Sequence, residues 1–210
     1  MSGAATRNVP AQVKNADLVS RRRQELIQAA VGLFGRKGYH ETTTRELARE
    51  VGWSVGALYE YISSKEDVLY LVCDSIHGEM ERAVIDIMPE QPCSLASFRE
   101  IFAAYLRTCD RMQAPILLIY QQTRSLKPAS RQHVLRNEAR ITGLFEELIA
   151  RGVAEGAFCI PEGTPPGLLA HNIMVTGHQW AFRRWAFGGP VPIETYIQQQ
   201  WALLERIVTA

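Results

Sequence analysis

His171 and His178 stand seven residues apart, so any helix that holds them puts both on one face, and Cys159 lies not far off in the chain. Imidazoles and a thiol could do acid–base or nucleophilic chemistry. The groups that would have to accompany them are missing. There is no nucleophile elbow, no phosphate-binding glycine loop, no metal-ligand spacing and no paired carboxylates. Histidines on an apolar helix then read as core or pocket residues. No catalytic residue, metal ligand or cofactor is expected. A denser set of polar groups lies between Thr42 and Lys65. Thr43, Tyr59, Tyr61 and Lys65 bring three hydroxyls and an ammonium, which suit contacts to phosphate oxygens. Arg45, Trp53, Ser54, Val55 and Ala57 are interleaved with them and suit the reading of base edges, Val55 and Ala57 by touching thymine methyls.

The elements that must position these groups are two short helices around a tight turn. Thr43 followed by Glu46 has capping-box spacing, and Leu47, Ala48 and Val51 set an apolar stripe behind it. Gly52 supplies a left-handed position that ends the first helix, and Ser54 caps a second beginning at Val55. Leu58 and Ile62 pack inward, which leaves Val55, Ala57, Tyr59 and Tyr61 outside. Ser63 with Glu66 repeats the capping box and opens a longer helix. Such a pair is a helix-turn-helix, the unit that lays its second helix in a DNA major groove.

Gly38-Tyr39, Thr43, Leu47-Ala48, Gly52, Ser54, Gly56, Leu58-Tyr59, Tyr61 and Ser64-Lys65 together resemble the signature of the TetR family of bacterial transcriptional regulators. The resemblance implies an all-α chain: a three-helix DNA-binding domain, then a helical ligand-binding and dimerisation domain, about nine helices in all. It also implies that Thr43, Tyr59, Tyr61 and Lys65 contact phosphates. Three positions depart from the pattern. Val55 stands where a basic residue is common, Glu60 where His or Arg is common, and Ile62 where Phe is usual.

A chain of 210 residues is long enough for such a pair of domains, and its net charge of +1 excludes a uniformly basic coat. Cys73, Cys93, Cys109 and Cys159 are scattered and read as reduced thiols. The start lacks a signal-peptide core, and the longest apolar run, Ala114 to Tyr120, is far short of a membrane span. The expected location is the cytoplasm, with no membrane partner.

In chain order, residues 1–19 are expected to form a mobile tail, 20–66 the DNA-binding domain and 67–210 the second domain. Arg21-Arg22-Arg23 reads either as a solvated helix start or as a basic arm on DNA. The first helix carries Leu26, Ala30, Leu33 and Phe34 and stops at Gly38. The helix after Lys65 runs toward Met88, with Pro89 and Pro92 ending it, and links the domains. Ser94 opens a helix with Phe98, Ile101, Phe102, Tyr105 and Leu106. Pro115 sits in the first turn of the next, which extends to about Leu126. Pro128 starts a long helix closed by Gly152 or Gly156. Thr164-Pro165-Pro166 launches another that ends at Gly188-Gly189, and Pro192 begins the last.

The last two helices are apolar on more than one side and must be buried on more than one side. In the family resembled, this pair joins its two-fold mate in a four-helix bundle. Phe182, Trp185, Ile197, Trp201 and Leu204 are the expected interface residues. The homodimer would space two recognition helices by roughly 34–36 Å, matching a palindromic operator. The stretch from Arg124 through Phe158 is similar to TetR-type regulators of fatty-acid degradation, which implies an acyl-CoA effector. Phe102, Tyr105, Leu118, Phe145, Met174, His178 and Trp180 would form its greasy tunnel, and Arg124, Arg131, Arg183 and Arg184 would meet its phosphates. A bulky aromatic drug, in the manner of efflux regulators, needs the same tunnel without the cations. The expected function is a ligand-responsive repressor.

Overall fold

The structure is a computed structural model that describes residues 9–88, 94–187 and 191–209. Among the described residues ten α-helices follow one another: α1 (Ala16–Lys37), α2 (Thr44–Glu50), α3 (Val55–Tyr59), α4 (Lys65–Ile85), α5 (Leu95–Arg111), α6 (Gln113–Gln122), α7 (Pro128–Ala154), α8 (Pro166–Phe182), α9 (Arg184–Phe187) and α10 (Ile193–Val208). A 3₁₀ turn, Thr123–Ser125, joins α6 to α7. The tenth helix arises because α8 stops at Phe182 and α9 forms separately, where a single helix to Gly188-Gly189 was expected. Gly188, Gly189, Pro89, Pro92 and Cys93 lie outside the described residues. Among the described residues there is no strand, only an isolated bridge at Cys159 and Thr209.

The contacts divide the chain into two units. One takes in the chain up to Ile76 with Leu117–Asn137, the other His77–Ile116 with Glu138–Ala210. The division falls within α4, α6 and α7.

In the first unit, α1 begins earlier than Arg21. Asn15 caps it, its side-chain oxygen accepting from the Leu18 amide at 3.0 Å. The preceding residues, expected to be mobile, are pinned from Val9 onward. Val9 is buried, and the Gln12 amide donates to the Glu60 carbonyl at 2.8 Å. Arg23 joins both ends, donating to the Val9 carbonyl at 2.6 Å and the Tyr61 carbonyl at 3.0 Å. Burial lowers its pKa, which marks the guanidinium as a structural clamp.

α4 is capped one residue later than expected. Ser64 Oγ accepts from the Asp67 amide at 3.2 Å, and the Asp67 carboxylate accepts from the Ser63 amide at 3.0 Å. Glu66 is thereby released to α7. Its Oε1 accepts from the Lys127 amide and from Ser130 Oγ, each at 3.0 Å, and its Oε2 faces Lys127 Nζ at 3.1 Å. Burial pushes this carboxyl up, but the hydrogen bonds from Lys127 and Ser130 win, and its pKa falls below the ordinary value. Two turns on, Asp74 Oδ1 meets His133 Nε2 at 3.1 Å and Asn137 Nδ2 at 3.0 Å. The α4–α7 seam is therefore partly polar.

The second unit is built on α5, which Ser94 and Ser97 cap reciprocally. Its inward stripe of Phe98, Ile101, Phe102, Tyr105 and Leu106 is fully buried. α8 and α10 both pack on it. Gly177 lets α8 come close: a Cβ there would lie 2.6 Å from the Tyr105 ring and 2.7 Å from Cys109 Sγ. Tyr105 donates its buried hydroxyl to the Met174 carbonyl at 3.1 Å. Trp201 of α10 packs against Phe98 and Phe102, ring centroids 5.8 and 6.0 Å away. α7 starts at Pro128 as expected, and Gly156 follows its end with φ +72°.

Candidate nucleic-acid interface and effector core

The helix-turn-helix takes the geometry its local sequence prescribes. Thr43 Oγ1 accepts from the Glu46 amide at 3.2 Å, and Glu46 accepts from the Thr43 amide at 2.8 Å. Lys37 closes the group with an ammonium 2.6 Å from Glu46. Hydrogen bonds from Lys37 and then Thr43 hold the Glu46 carboxyl down at about 2. Gly52, at φ +71°, makes the turn that a residue with a Cβ would resist. The Trp53 amide donates to the Ala48 carbonyl at 2.8 Å across it. Ser54 Oγ then accepts from the Ala57 amide at 3.1 Å and opens α3.

Of the nine residues expected at DNA, six are presented and three are otherwise engaged. Thr43, Arg45, Ser54, Val55 and Tyr59 are exposed and Ala57 is half-buried. The Tyr59 hydroxyl shares a hydrogen bond with Thr44 Oγ1 at 3.3 Å. Tyr61 was expected outside but is buried at 7% exposure. Its ring packs on Trp53 with centroids 5.3 Å apart, and the Arg22 guanidinium covers Trp53 from 5.3 Å. Trp53 is thus half-buried between two neighbours.

Lys65 is the largest departure. Its ammonium donates to the carbonyls of Tyr39 at 2.8 Å, His40 at 3.0 Å and Thr42 at 2.8 Å, and sits 4.5 Å from the Tyr39 ring centroid. Three N–H groups meet three acceptors, which leaves no donor for a phosphate. Burial lowers its pKa, opposed by Glu41. Lys65 ties the start of α4 to the loop between α1 and α2. Lys65→Met is expected to cost about 1.5–3 kcal/mol of stability, the range for hydrogen bonds from a charged donor. The salt dependence of DNA affinity should stay within one unit of wild type, and denaturant unfolding with a salt titration reads both. A slope flatter by a full unit with unchanged stability would restore the phosphate role.

The free cations lie elsewhere. Arg22 pairs with Glu25 at 2.8 Å and Arg36 with Glu50 at 2.9 Å. Arg45 and Arg49, one turn apart on α2, are exposed and hold no ion pair among the described residues. Arg49 escaped the sequence reading. Its spacing of four from Arg45 was the available signal.

In the second unit, Phe102, Tyr105, Phe145, Met174, His178 and Trp180 are all buried. Tyr105 stands edge-on to Phe145 at 5.3 Å, and Trp180 donates its indole N–H to Asp110 at 2.7 Å while packing on Tyr196 at 4.7 Å. Burial, with His77 adding to it, lowers the His178 pKa to about 4, so it is a neutral core residue. Arg184 lies 4.5 Å over the Trp180 ring. Arg183 lies 4.8 Å over Trp185, which is 78% exposed. Leu118, Arg124 and Arg131 belong to the first unit, where Leu118 is buried and both arginines are exposed.

The expected interface residues divide in the same way. Ile197, Trp201 and Leu204 are buried within the protomer, Phe182 is half-buried, and Trp185 is open. The exposed apolar face of this helix pair is the neighbouring stripe: Leu168 and Val175 on α8, Leu203 and Ile207 on α10. A groove of about 120 Å³ runs between them, lined by Asn172, Thr176, Gln200 and Leu203 with Phe102 among its walls.

A helix-turn-helix ahead of a helical second unit defines a DNA-binding regulator. The model for the tetR family of bacterial regulatory proteins matches residues 26–70, and that for the tetracyclin repressor-like C-terminal domain matches residues 94–208. This chain belongs to the TetR family of transcriptional regulators. It is 28% identical to the transcriptional regulator HbdR of Aromatoleum sp. (strain CIB) over 100% of this chain and 91% of that one. It is 25% identical to the transcriptional repressor KstR2 of Mycolicibacterium smegmatis over 87% and 88% of the two chains. The fold is shared with FadR of Bacillus subtilis, solved in complex with stearoyl-CoA, at a TM-score of 0.69, 19% identity and coverage of 88% and 97%. Among the described residues, no helix is long and apolar enough to cross a membrane.

Proposed function

We propose that this chain represses transcription as a homodimer on a palindromic operator, and that an acyl-CoA thioester releases it. The observation that carries the dimer is the exposed stripe of Leu168, Val175, Leu203 and Ile207. Four large apolar side chains in two facing rows of adjacent helices, open to water, call for a partner surface. A two-fold axis through the stripe makes it self-complementary. On DNA, Arg45 and Arg49 supply charge and α3 supplies base contacts, while Lys65, Tyr61 and Trp53 hold the motif in shape. The repressor assignment follows the name of KstR2.

The effector reading rests on FadR, the neighbour solved with stearoyl-CoA, and on the cations Arg183 and Arg184 of the second unit. In this reading an acyl chain enters by parting the buried Tyr105, Phe145 and Met174 side chains. That requirement gives the ligand different affinities for two conformations, without which it could shift nothing. Operator-bound protein should be titrated with long-chain acyl-CoA, free fatty acid and free CoA. Release by the thioester alone, lost in Arg183→Ala, is the expected result. Indifference to acyl-CoA of every chain length overturns the effector and leaves the DNA reading standing.

A further inference from the structure

We infer that the base preference of α3 is carried by pyrimidine 5-methyl groups, read by Val55 and Ala57, rather than by hydrogen bonds to base edges. This rests on the proposal that α3 enters the major groove.

The side chains of α3 are Val55, Gly56, Ala57, Leu58 and Tyr59. Leu58 is fully buried, and Gly56 has no side chain. Val55, the first residue of the helix, is 37% exposed, and Ala57, two residues on, is half-buried. The N-terminal residues of a recognition helix are those that meet base edges. Here they hold no amide, carboxylate or cation. Each flanking hydroxyl has a partner inside the motif, Ser54 Oγ accepting from the Ala57 amide and the Tyr59 hydroxyl sharing a hydrogen bond with Thr44. Trp53, whose indole N–H could have donated, is packed between Arg22 and Tyr61. On the first turn of the helix itself the side chains are an isopropyl and a methyl. In the major groove the one apolar feature of a natural base is the thymine 5-methyl, and 5-methylcytosine places the same group at the same ring carbon.

A four-base comparison tests this without knowledge of the natural operator. Full-length protein is used to select a duplex in vitro from a random-sequence library. Each pyrimidine of the selected half-site is then made, in turn, thymine, deoxyuridine, cytosine and 5-methylcytosine. Reading by methyl predicts that, at one or two positions, thymine and 5-methylcytosine bind about four-fold tighter than deoxyuridine and cytosine, the worth of one buried carbon. Val55→Ala should bring that ratio near one at the position it contacts. This substitution lies at an exposed site, and circular dichroism checks that the fold is intact. Reading by hydrogen bonds predicts the other grouping, thymine with deoxyuridine and cytosine with 5-methylcytosine, and that result overturns the inference alone. Failure to enrich any duplex overturns the DNA reading, and the inference with it.

Discussion

Leu203→Glu is expected to give a folded monomer whose operator affinity is lower by about a hundred-fold or more. Leu203 is 57% exposed, so a carboxylate there stays solvated in the isolated protomer and costs its fold little. In a two-fold dimer the same carboxylate faces an apolar row on the partner copy and is desolvated without a counter-ion, at a cost of several kcal/mol. Loss of the dimer turns one bivalent binding event into two separate ones. Linking two modules raises avidity by about 10²–10⁴-fold, which sets the size of the loss. Val175→Glu should reproduce it from the other helix. Val153→Glu, at an exposed apolar position on α7, should not. Sedimentation equilibrium and fluorescence anisotropy on a selected duplex measure the two quantities. A Leu203→Glu protein that remains dimeric would place the interface elsewhere and remove the observation on which the dimer rests.

What the sequence made legible was chemistry that acts over three or four residues. The Thr43–Glu46 box, the left-handed Gly52 and the Ser54 cap are each fixed by neighbours within one turn, and each stands where spacing put it. The cap of α4 shows the limit. Ser63 and Ser64 each have an acidic residue three places on, so the local pattern fits two registers. Lys127 and Ser130, more than sixty residues away, decide between them by taking Glu66. The hydrogen bonds of Lys65 were invisible for the same reason. Its three acceptors come from carbonyls 23 to 26 residues earlier, and a side chain that matches a family position gives no sign of them. On α10 the sequence shows apolar residues on more than one side without saying which side the protomer's own core takes. Periodicity reports that two rows exist, and the packing on Phe98 and Phe102 selects the larger side chains for the core. The burial of the effector side chains was foreseen, but an aromatic cluster that fills a core and one that lines a tunnel have the same sequence.

Trp201→Ala is expected to cost about 3–5 kcal/mol of stability, the range for removing a large aromatic from a core. Trp201 is 4% exposed within its own protomer and contacts both Phe98 and Phe102. Truncation leaves a void against α5 that Leu204 and Val208, one and two turns on, are too short to fill. Trp201→Phe should cost much less, about 1–1.5 kcal/mol or below. The indole Nε1 is buried with no hydrogen-bond partner among the described residues, so the benzyl ring keeps most of the apolar contact and removes an unsatisfied donor. The gap between the two substitutions separates a core residue from an interface anchor. Stability linked to dimer formation varies with protein concentration, whereas a cavity in the protomer costs the same at every concentration. Denaturant unfolding of both variants across a hundred-fold range of concentration should therefore show a constant deficit for Trp201→Ala. A deficit that appears only in the dilute samples would return Trp201 to the subunit interface.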